Sequence, residues 1–103
     1  ITNKKKITIG DLELDSVEAS AYLNGENLGL SVKEFNLLFK FLSYPKRTFT
    51  RTQLMDEFWG YDSESAPRTV DVCITKLRGK ISECKDIEIV TVHGLGSKAV
   101  ILV

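Results

Sequence analysis

The amino-acid sequence predicts an α+β domain in which short antiparallel strands come first, helices follow and a β-hairpin closes the chain. Three observations support this prediction. Apolar and polar residues alternate in the first thirty residues, an apolar stripe with helical spacing runs through 68–81, and two apolar β-branched runs end the chain. With 103 residues, the chain is long enough for one domain with one core. We therefore expect a single domain over residues 1–103.

The first thirty residues show the two-residue period of β-strands. Apolar side chains alternate with polar ones at Ile7, Ile9, Leu12 and Leu14. The dipeptide Asn24-Gly25, a frequent two-residue hairpin turn, lies between two further apolar runs at 21–23 and 28–30. This pattern predicts short antiparallel strands that are joined by hairpins.

The first helix is predicted to begin after Ser31. Ser31 and Glu34 have the spacing of a capping box, in which each side chain accepts a hydrogen bond from the backbone N–H of the other residue. The apolar positions that follow, which we expect in the core, are Phe35, Leu38, Phe39 and Leu42. Pro45 should end the helix, because proline has no backbone N–H to continue it.

A second, shorter helix is expected over 53–58, after a short strand at 49–51. Thr52 is a candidate N-cap for this helix, and the residues expected to face inward are Leu54, Met55 and Phe58. Helix N-termini bind phosphate through their free N–H groups. Thr52 is therefore also a candidate phosphate contact.

The third helix, predicted over 68–81, has two different faces. At about 100° per residue, its apolar stripe consists of Val70, Ile74, Leu77 and Ile81. The opposite face carries cations and no acid, and its members are Arg68, Val72, Thr75, Lys76 and Gly79. Such a surface suits the DNA major groove, where cations meet phosphates or guanine edges and an apolar side chain contacts a thymine methyl group. An ordinary amphipathic surface helix is the alternative.

The segment after this helix favours the DNA-binding interpretation. Residues 88–103 read EIVTVHGLGSKAVILV, which is two apolar β-branched runs joined by a glycine-containing turn. A long basic helix followed directly by a hairpin is the element order of winged-helix domains.

These motifs resemble the C-terminal effector domain of OmpR/PhoB-type response regulators. The resemblance rests on RTVDVCITKLRGKI with TVHGLG after it, and on LSVKEFNLLFKFLSYPKRTFTRTQLMDEFWGYD before it, so it covers nearly the whole chain. It implies a winged helix-turn-helix with an N-terminal four-stranded antiparallel sheet, three helices and a C-terminal hairpin, the wing. It also implies sequence-specific binding of double-stranded DNA, with the third helix in the major groove and the wing at the adjacent minor groove.

The resemblance further implies which residues contact DNA. Thr69 matches a phosphate-binding hydroxyl, Val72 a base-contacting apolar residue, and Lys76 a position where the family often reads a base edge with arginine. In the wing, the family pattern Val-Arg-Gly-x-Gly-Tyr is altered, because His93 replaces the arginine that enters the minor groove. The full set of expected DNA-binding residues is Arg51, Thr52, Arg68, Thr69, Val72, Thr75, Lys76, Arg78, His93 and Lys98.

Other positions of this set match or depart from the family pattern. Arg51 and Arg78 match cations that contact the DNA backbone. Cys73 stands where histidine or tyrosine is common, and Thr75 where a second arginine is frequent, so one or two phosphate contacts are expected to be lost. In the wing, Lys98 is the only nearby full cation.

The segment between the second and third helices matches the loop that touches RNA polymerase in activators of the family. Trp59-Gly60 is its typical opening, with Trp59 expected to pack against the second helix. The exposed candidates for polymerase contact are Tyr61, Asp62 and Glu64. The range 56–64 has four acids and no base, whereas 68–85 has five cations and two acids, so different faces can serve different partners. A plain connector that fixes the angle between the helices is the alternative.

The resemblance also implies partners beyond this chain. In the full-length regulator of a two-component phosphorelay, the family has a receiver domain and a sensor kinase as partner. Nothing in these 103 residues resembles a phospho-acceptor domain, so we expect either an excised effector domain or a regulator that lacks that half. The DNA partner is expected to be a pair of tandem half-sites that are bound by a dimer.

The sequence argues against several other classes of protein. One histidine, no Gly-rich phosphate loop and no nucleophile motif predict that the chain is not an enzyme and needs no cofactor or metal. Cys73 and Cys84, placed on one predicted helix, are too far apart to pair, which suits a reducing compartment. No apolar run approaches the roughly 20 residues that span a bilayer, so a cytoplasmic location is expected.

One alternative function stays open at this point, a winged-helix module whose third helix or wing docks a protein. Acids or large apolar residues on the face that holds Arg68, Val72 and Lys76 would favour it, and that face has none.

Overall fold

A computed structural model describes residues 6–60 and 68–102, which form two antiparallel sheets and three helices. The elements in chain order are β1 (Lys6–Ile9), β2 (Leu12–Asp15), β3 (Ser20–Leu23), β4 (Glu26–Asn27), α1 (Val32–Ser43), α2 (Arg51–Phe58), α3 (Arg68–Lys80), β5 (Ile87–Val92) and β6 (Gly96–Ile101). This order confirms the predicted winged helix-turn-helix architecture.

The N-terminal sheet has the strand order β1-β2-β3-β4, with every neighbouring pair antiparallel. Asn24 and Gly25 join β3 to β4, and both have positive φ angles (54° and 83°), as a two-residue hairpin turn requires. The predicted strand at 28–30 is wrong, because β4 contains only Glu26 and Asn27. The Asn27 side chain accepts a hydrogen bond from the Gly29 N–H at 2.8 Å, and this local turn redirects the chain.

Helix α1 begins and ends where the sequence predicts. The Glu34 N–H donates to the Ser31 hydroxyl at 3.2 Å, and the Ser31 N–H donates to Glu34 Oε1 at 2.8 Å, which completes the capping box. The last helical residue is Ser43, and Pro45 follows the C-cap Tyr44. Phe39 is half-buried, whereas the fully buried apolar residues of α1 are Phe35, Leu37, Leu38, Phe41 and Leu42.

The predicted start of α2 is wrong. The N-cap is Thr50, whose hydroxyl accepts from the Gln53 N–H at 3.1 Å while its own N–H donates to the Gln53 side chain at 2.9 Å. Arg51 and Thr52 therefore lie in the first turn, and Thr52 does not cap the helix. Thr50 is the N-cap rather than Thr52 because only Thr50 has a Gln or Glu three residues later. The capping box with this residue satisfies two backbone donors at once.

The predicted strand at 49–51 is also wrong, because only Phe49 makes a bridge, to Ser97. Its N–H donates to the Ser97 carbonyl at 2.9 Å, and the Ser97 N–H donates to the Phe49 carbonyl at 3.0 Å. Gly96, next to this bridge, has no room for a side chain, since an added Cβ would lie 2.0 Å from the Phe49 carbonyl oxygen. The bridge thus holds the wing hairpin against the start of α2.

Helix α3 buries the predicted stripe of Val70, Ile74 and Leu77. Ile81 lies just after the last helical residue and is also buried. Cys84 follows in a turn, so the two cysteines do not lie on one helix as predicted, and both are free thiols. The helix ends early because the chain must turn there to enter β5.

One core unites these elements. Helix α1 lies at its centre and contacts α2, α3, β1, β3 and β6. The fully buried residues at this centre include Leu12, Leu14, Phe41, Leu54 and Leu77. Because α3 and the wing pack on the same core, their exposed faces are held in a fixed relation to each other.

Candidate nucleic-acid interface

A groove of about 450 Å³ lies between the start of α2, one side of α3 and the wing. We refer to it as the α2–α3–wing groove. The residues that line it are Phe49, Thr50, Arg51, Thr52, Leu54, Val70, Asp71, Ile74, Thr75, Arg78, Thr91, Val92, Gly94, Leu95, Gly96 and Ser97. Four of the predicted DNA-binding residues, Arg51, Thr52, Thr75 and Arg78, are brought together here.

The solvent-facing side of α3 carries the predicted base-reading residues. Val72 is 46% exposed although it is a large apolar residue, and Lys76, one turn later, is exposed too. Val70 and Leu77 are completely buried on the opposite side. The two faces of α3 are therefore assigned as the sequence predicts.

The side chains around this face differ in how free they are to reach a ligand. Arg68 and Thr75 are exposed, whereas Thr69 is half-buried. The Thr75 hydroxyl donates to the Asp71 carbonyl at 2.9 Å within the helix. Its proton is thus engaged, and Thr75 presents mainly acceptor capacity to the groove.

One acid, Asp71, lines the groove, although the sequence predicted no acid on the DNA-facing side of α3. Asp71 Oδ1 accepts from Arg51 Nε at 3.2 Å, so the first turns of α2 and α3 are linked by an ion pair. Both side chains are about half exposed, and such a pair adds little to stability. Its main effect is electrostatic, because Arg51 neutralises an acid that would otherwise repel an anion.

Arg78 links α3 to the wing. Its Nε donates to the Ile89 carbonyl at 3.1 Å, and its second guanidinium nitrogen donates to the Thr91 hydroxyl at 2.5 Å. The side chain is half-buried. The sequence predicted only a contact between Arg78 and the DNA backbone, since nothing local in the sequence shows that β5 passes beside this side chain.

The two predicted wing residues lie in different places. His93 is exposed in the turn between β5 and β6. Lys98 pairs with Val90 across the hairpin, and its neighbours Ser97 and Ala99 are buried. Because side chains alternate between faces along a strand, Lys98 lies on the outer face of the wing, away from the core and from the α2–α3–wing groove. The structure does not bring Lys98 to the groove.

A pair between the exposed Lys80 and the buried Glu34 holds the other end of α3. Lys80 Nζ donates to Glu34 Oε1 at 2.7 Å and to the Gly29 carbonyl at 2.9 Å. Burial raises the pKa of Glu34, but the hydrogen bonds from Lys80 and from the Ser31 backbone outweigh it and lower the pKa below its ordinary value. Glu34 is therefore an anion that holds α3 against the start of α1.

Cys73 lies near this pair on α3. Burial, and secondarily the charge of Glu34, raises the pKa of the Cys73 thiol. The thiol therefore stays protonated, and Cys73 serves as a half-buried packing residue.

The proposed polymerase-contacting residues Tyr61, Asp62 and Glu64 lie outside the described residues. Trp59, two residues before Tyr61, is half-buried against the core, and Lys33 Nζ lies 5.0 Å from the centre of its ring. Lys33 also donates to the Phe58 carbonyl at the end of α2. These contacts fix the point from which the segment leaves α2.

Residues 25–98 match the family model of the C-terminal region of transcriptional regulatory proteins. The chain belongs to this family. A curated relative, the heme response regulator HssR of Staphylococcus aureus (strain JH9), is 38% identical over 99 residues, which cover 95% of this chain and 44% of the relative. The chain thus spans less than half the length of the curated relatives it matches.

Solved structures agree with this assignment. DrrB of Thermotoga maritima, an OmpR/PhoB homologue, has a TM-score of 0.82 and 29% identity, covering 95% of this chain and 45% of DrrB. The Klebsiella pneumoniae RstA DNA-binding domain, solved in complex with the RstA box, has a TM-score of 0.76 and 30% identity, covering 93% of this chain and 97% of that domain. This chain is a C-terminal effector domain of the OmpR/PhoB type, a class that is defined by DNA binding and transcription regulation.

Two further findings concern the described residues, 6–60 and 68–102. No helix there has the length and apolar character needed to cross a membrane. Nor do the His, Cys, Asp and Glu side chains in these ranges form a group that could hold a metal ion.

Proposed function

We propose that this domain binds specific sequences of double-stranded DNA by placing α3 in the major groove. The observation that carries the proposal is the exposure of Val72 and Lys76 on the side of α3 opposite its buried stripe. An exposed α-helix face fits the width of the major groove. Nothing in the core has to move for this face to reach bases, because α3 is already fixed by Lys80 and Arg78.

The chemistry of the exposed side chains suggests a role for each. Lys76 can donate to guanine O6 or N7, and Val72 can contact a thymine methyl group. Arg68 and Thr69, at the start of α3, would contact phosphates. Free N–H groups at the start of α2 add a further phosphate site beside Thr52.

The α2–α3–wing groove supports this orientation, because its rim combines the start of α2, α3 and the wing tip. Arg51 offers a phosphate contact there, although its guanidinium group also pairs with Asp71. The wing then lies beside α3 and can follow the DNA backbone into the neighbouring minor groove. His93 stands at the turn of the wing, and Lys98 contributes only a more distant positive charge.

The test is selection from a library of random DNA duplexes at physiological salt, followed by competition binding against an unrelated duplex. We expect one motif to be enriched, and its affinity to exceed that of the unrelated duplex by about a thousandfold for a paired site. A domain that docks proteins instead would enrich no motif and would bind all duplexes equally weakly.

In the full-length regulator, we propose that this domain is the effector half of a two-component phosphorelay protein in the cytoplasm. The family assignment and the partial coverage of HssR and DrrB support a receiver domain that a sensor kinase controls. Dimers on tandem half-sites would supply the affinity that one small basic face lacks.

For activation, we propose that the segment with Tyr61, Asp62 and Glu64 contacts RNA polymerase. Its two acids oppose a DNA role, because they repel phosphates. Replacing both acids with alanine in the full-length regulator should leave DNA affinity unchanged and reduce transcription from the target promoter in a reconstituted assay. Unchanged transcription would make the segment a connector.

A further inference from the structure

Leu95, at the tip of the wing, has a large apolar side chain that is exposed to solvent. It is 63% exposed, and it lies between Gly94, which has a φ of 79°, and Gly96. The Leu95 N–H donates to the Val92 carbonyl at 3.0 Å. This hydrogen bond closes the turn and fixes the backbone that carries the Leu95 side chain. Single exposed apolar side chains are common on protein surfaces. What distinguishes Leu95 is its position.

Leu95 lines the α2–α3–wing groove together with Arg51, Thr52 and Thr75. It therefore lies on the side of the wing that faces α3 and the start of α2. Leu102 is exposed to a similar extent, 56%, but it lies at the far end of β6 and does not line this groove.

The polar side chains of the wing are directed elsewhere or already engaged. Lys98 lies on the outer face, because side chains alternate along β6 and its neighbours Ser97 and Ala99 are buried. The Thr91 hydroxyl accepts from Arg78. His93 is exposed but is not part of the groove lining. Among the described wing residues, Leu95 is the only long side chain at the tip on the groove side.

We propose that Leu95 is a specificity-determining residue that enters the DNA minor groove and selects A·T pairs there. This inference rests on the proposed function, because it needs α3 in the adjacent major groove. The chemical reason is that G·C pairs carry the guanine 2-amino group on the minor-groove floor, whereas A·T pairs do not. A leucine side chain on that floor would strip water from this donor without replacing its hydrogen bond.

The proposal differs from electrostatic insertion by a cation. A cation in the minor groove is attracted by the negative potential of a narrow groove and so reads its width. An apolar wedge instead discriminates through the amino group itself and is insensitive to salt. Inosine separates these effects from major-groove readout, because an I·C pair lacks the 2-amino group but presents the major-groove edge of G·C.

The experiment uses the duplex selected by the wild-type domain. The pairs next to the α3 motif are built as A·T, as I·C or as G·C, and affinities are measured by titration. We expect wild type to bind A·T and I·C equally, and G·C at least about fivefold more weakly. Leu95→Ala should reduce this preference to less than about twofold. Leu102→Ala is the matched control and should retain it.

The possible failures are distinguishable. If the wild-type domain selects no motif, the proposed function is wrong and this inference falls with it. If a motif is selected but I·C binds like G·C, or Leu95→Ala keeps the full preference, the proposed function stands and Leu95 has no such role. Loss of the preference in His93→Ala alone would assign the readout to His93.

Discussion

Glu34 illustrates how one side chain serves two elements. It is 3% exposed, accepts from the Ser31 N–H to cap α1, and accepts from Lys80 to hold the end of α3. A buried carboxylate is stable only when its hydrogen bonds replace those of water. Here both the cap and the ion pair do so, and they keep the pKa of Glu34 below its ordinary value.

Replacing Glu34 with glutamine should separate these two roles. Glutamine retains the capping-box acceptor but loses the charge, so unfolding free energy should fall by about 1–2 kcal/mol near neutral pH. Because the folded pKa is lowered, the stabilisation is present above the ordinary carboxyl pKa and is lost as pH falls through the lowered pKa. Urea unfolding at several pH values should therefore show the wild-type advantage over Glu34→Gln disappearing in acid.

The control for this experiment is Ser31→Ala, which removes the hydroxyl of the cap and leaves the Glu34–Lys80 pair in place. It should cost about 1 kcal/mol and retain most of the acid dependence of wild type, because the hydrogen bonds from Lys80 and from the Ser31 backbone to Glu34 remain. An acid dependence in Glu34→Gln equal to that of wild type would mean that the carboxylate is not coupled to Lys80.

Two glycines allow a matched test of packing at the residue scale. At Gly96 an added Cβ would lie 2.0 Å from the Phe49 carbonyl oxygen, whereas at Gly79, in α3, nothing lies within 4 Å. Gly79→Ala should raise the unfolding free energy by about 0.5–1 kcal/mol through helix propensity. Gly96→Ala should lower it by roughly 2 kcal/mol or more, because the Phe49 bridge has to shift. Thermal melts that rank the two variants in the opposite order would contradict the close approach.

At the scale of elements, α2, α3 and the wing are joined by contacts between distant parts of the sequence. Arg51 pairs with Asp71 across the helix-turn-helix, and Arg78 reaches both Ile89 and Thr91 on β5. The Arg78 contacts tie α3 to the wing, whereas the Arg51–Asp71 pair acts mainly through its charges. Together, these contacts limit how many cations are immediately available to a ligand.

Asp71→Asn should increase affinity for DNA of any sequence. The change removes an acid from the groove and releases Arg51 for a phosphate, so the slope of log affinity against log salt should steepen by about one. Glu13→Gln on β2, which also removes one exposed acid, should have a much smaller effect because it lies on the N-terminal sheet. A salt slope that is equal in the two variants would show that Arg51 is not held by Asp71.

The same distinction between local and distant contacts explains what the sequence could predict. The capping box at Ser31, the stripe of Val70, Ile74 and Leu77, and the Asn24-Gly25 turn are local signals, and each is confirmed. The start of α2 was misplaced although its signal, Thr50 with Gln53, is local as well.

Other features could not be read from the sequence. The Arg51–Asp71 and Arg78–Thr91 contacts depend on tertiary packing. The outward direction of Lys98 depends on strand register, because a shift by one residue would move it to the other face. The roles of the DNA-facing side chains stay predictions, since only binding experiments address them.

At the scale of the whole molecule, the net charge is zero, but 68–85 has five cations and only two acids. Arg51 and Arg78 already have protein partners and Lys98 lies on the outer face, so one domain should neutralise only about 2–4 phosphates. A log–log salt slope between about −2 and −4 is expected for one domain on one half-site, with weak binding. Nanomolar affinity of a monomer for a half-site at physiological salt would contradict this picture.

The most direct test of the central claim, that α3 reads DNA bases through its exposed face, is the base preference of Lys76→Ala. Lys76 is exposed on α3, so the variant should melt close to the wild-type temperature. In library selection and titration it should lose discrimination at one base pair of the motif, at a cost of about 1–3 kcal/mol. An unchanged motif with unchanged affinity would contradict the account and exclude this face of α3 from base readout.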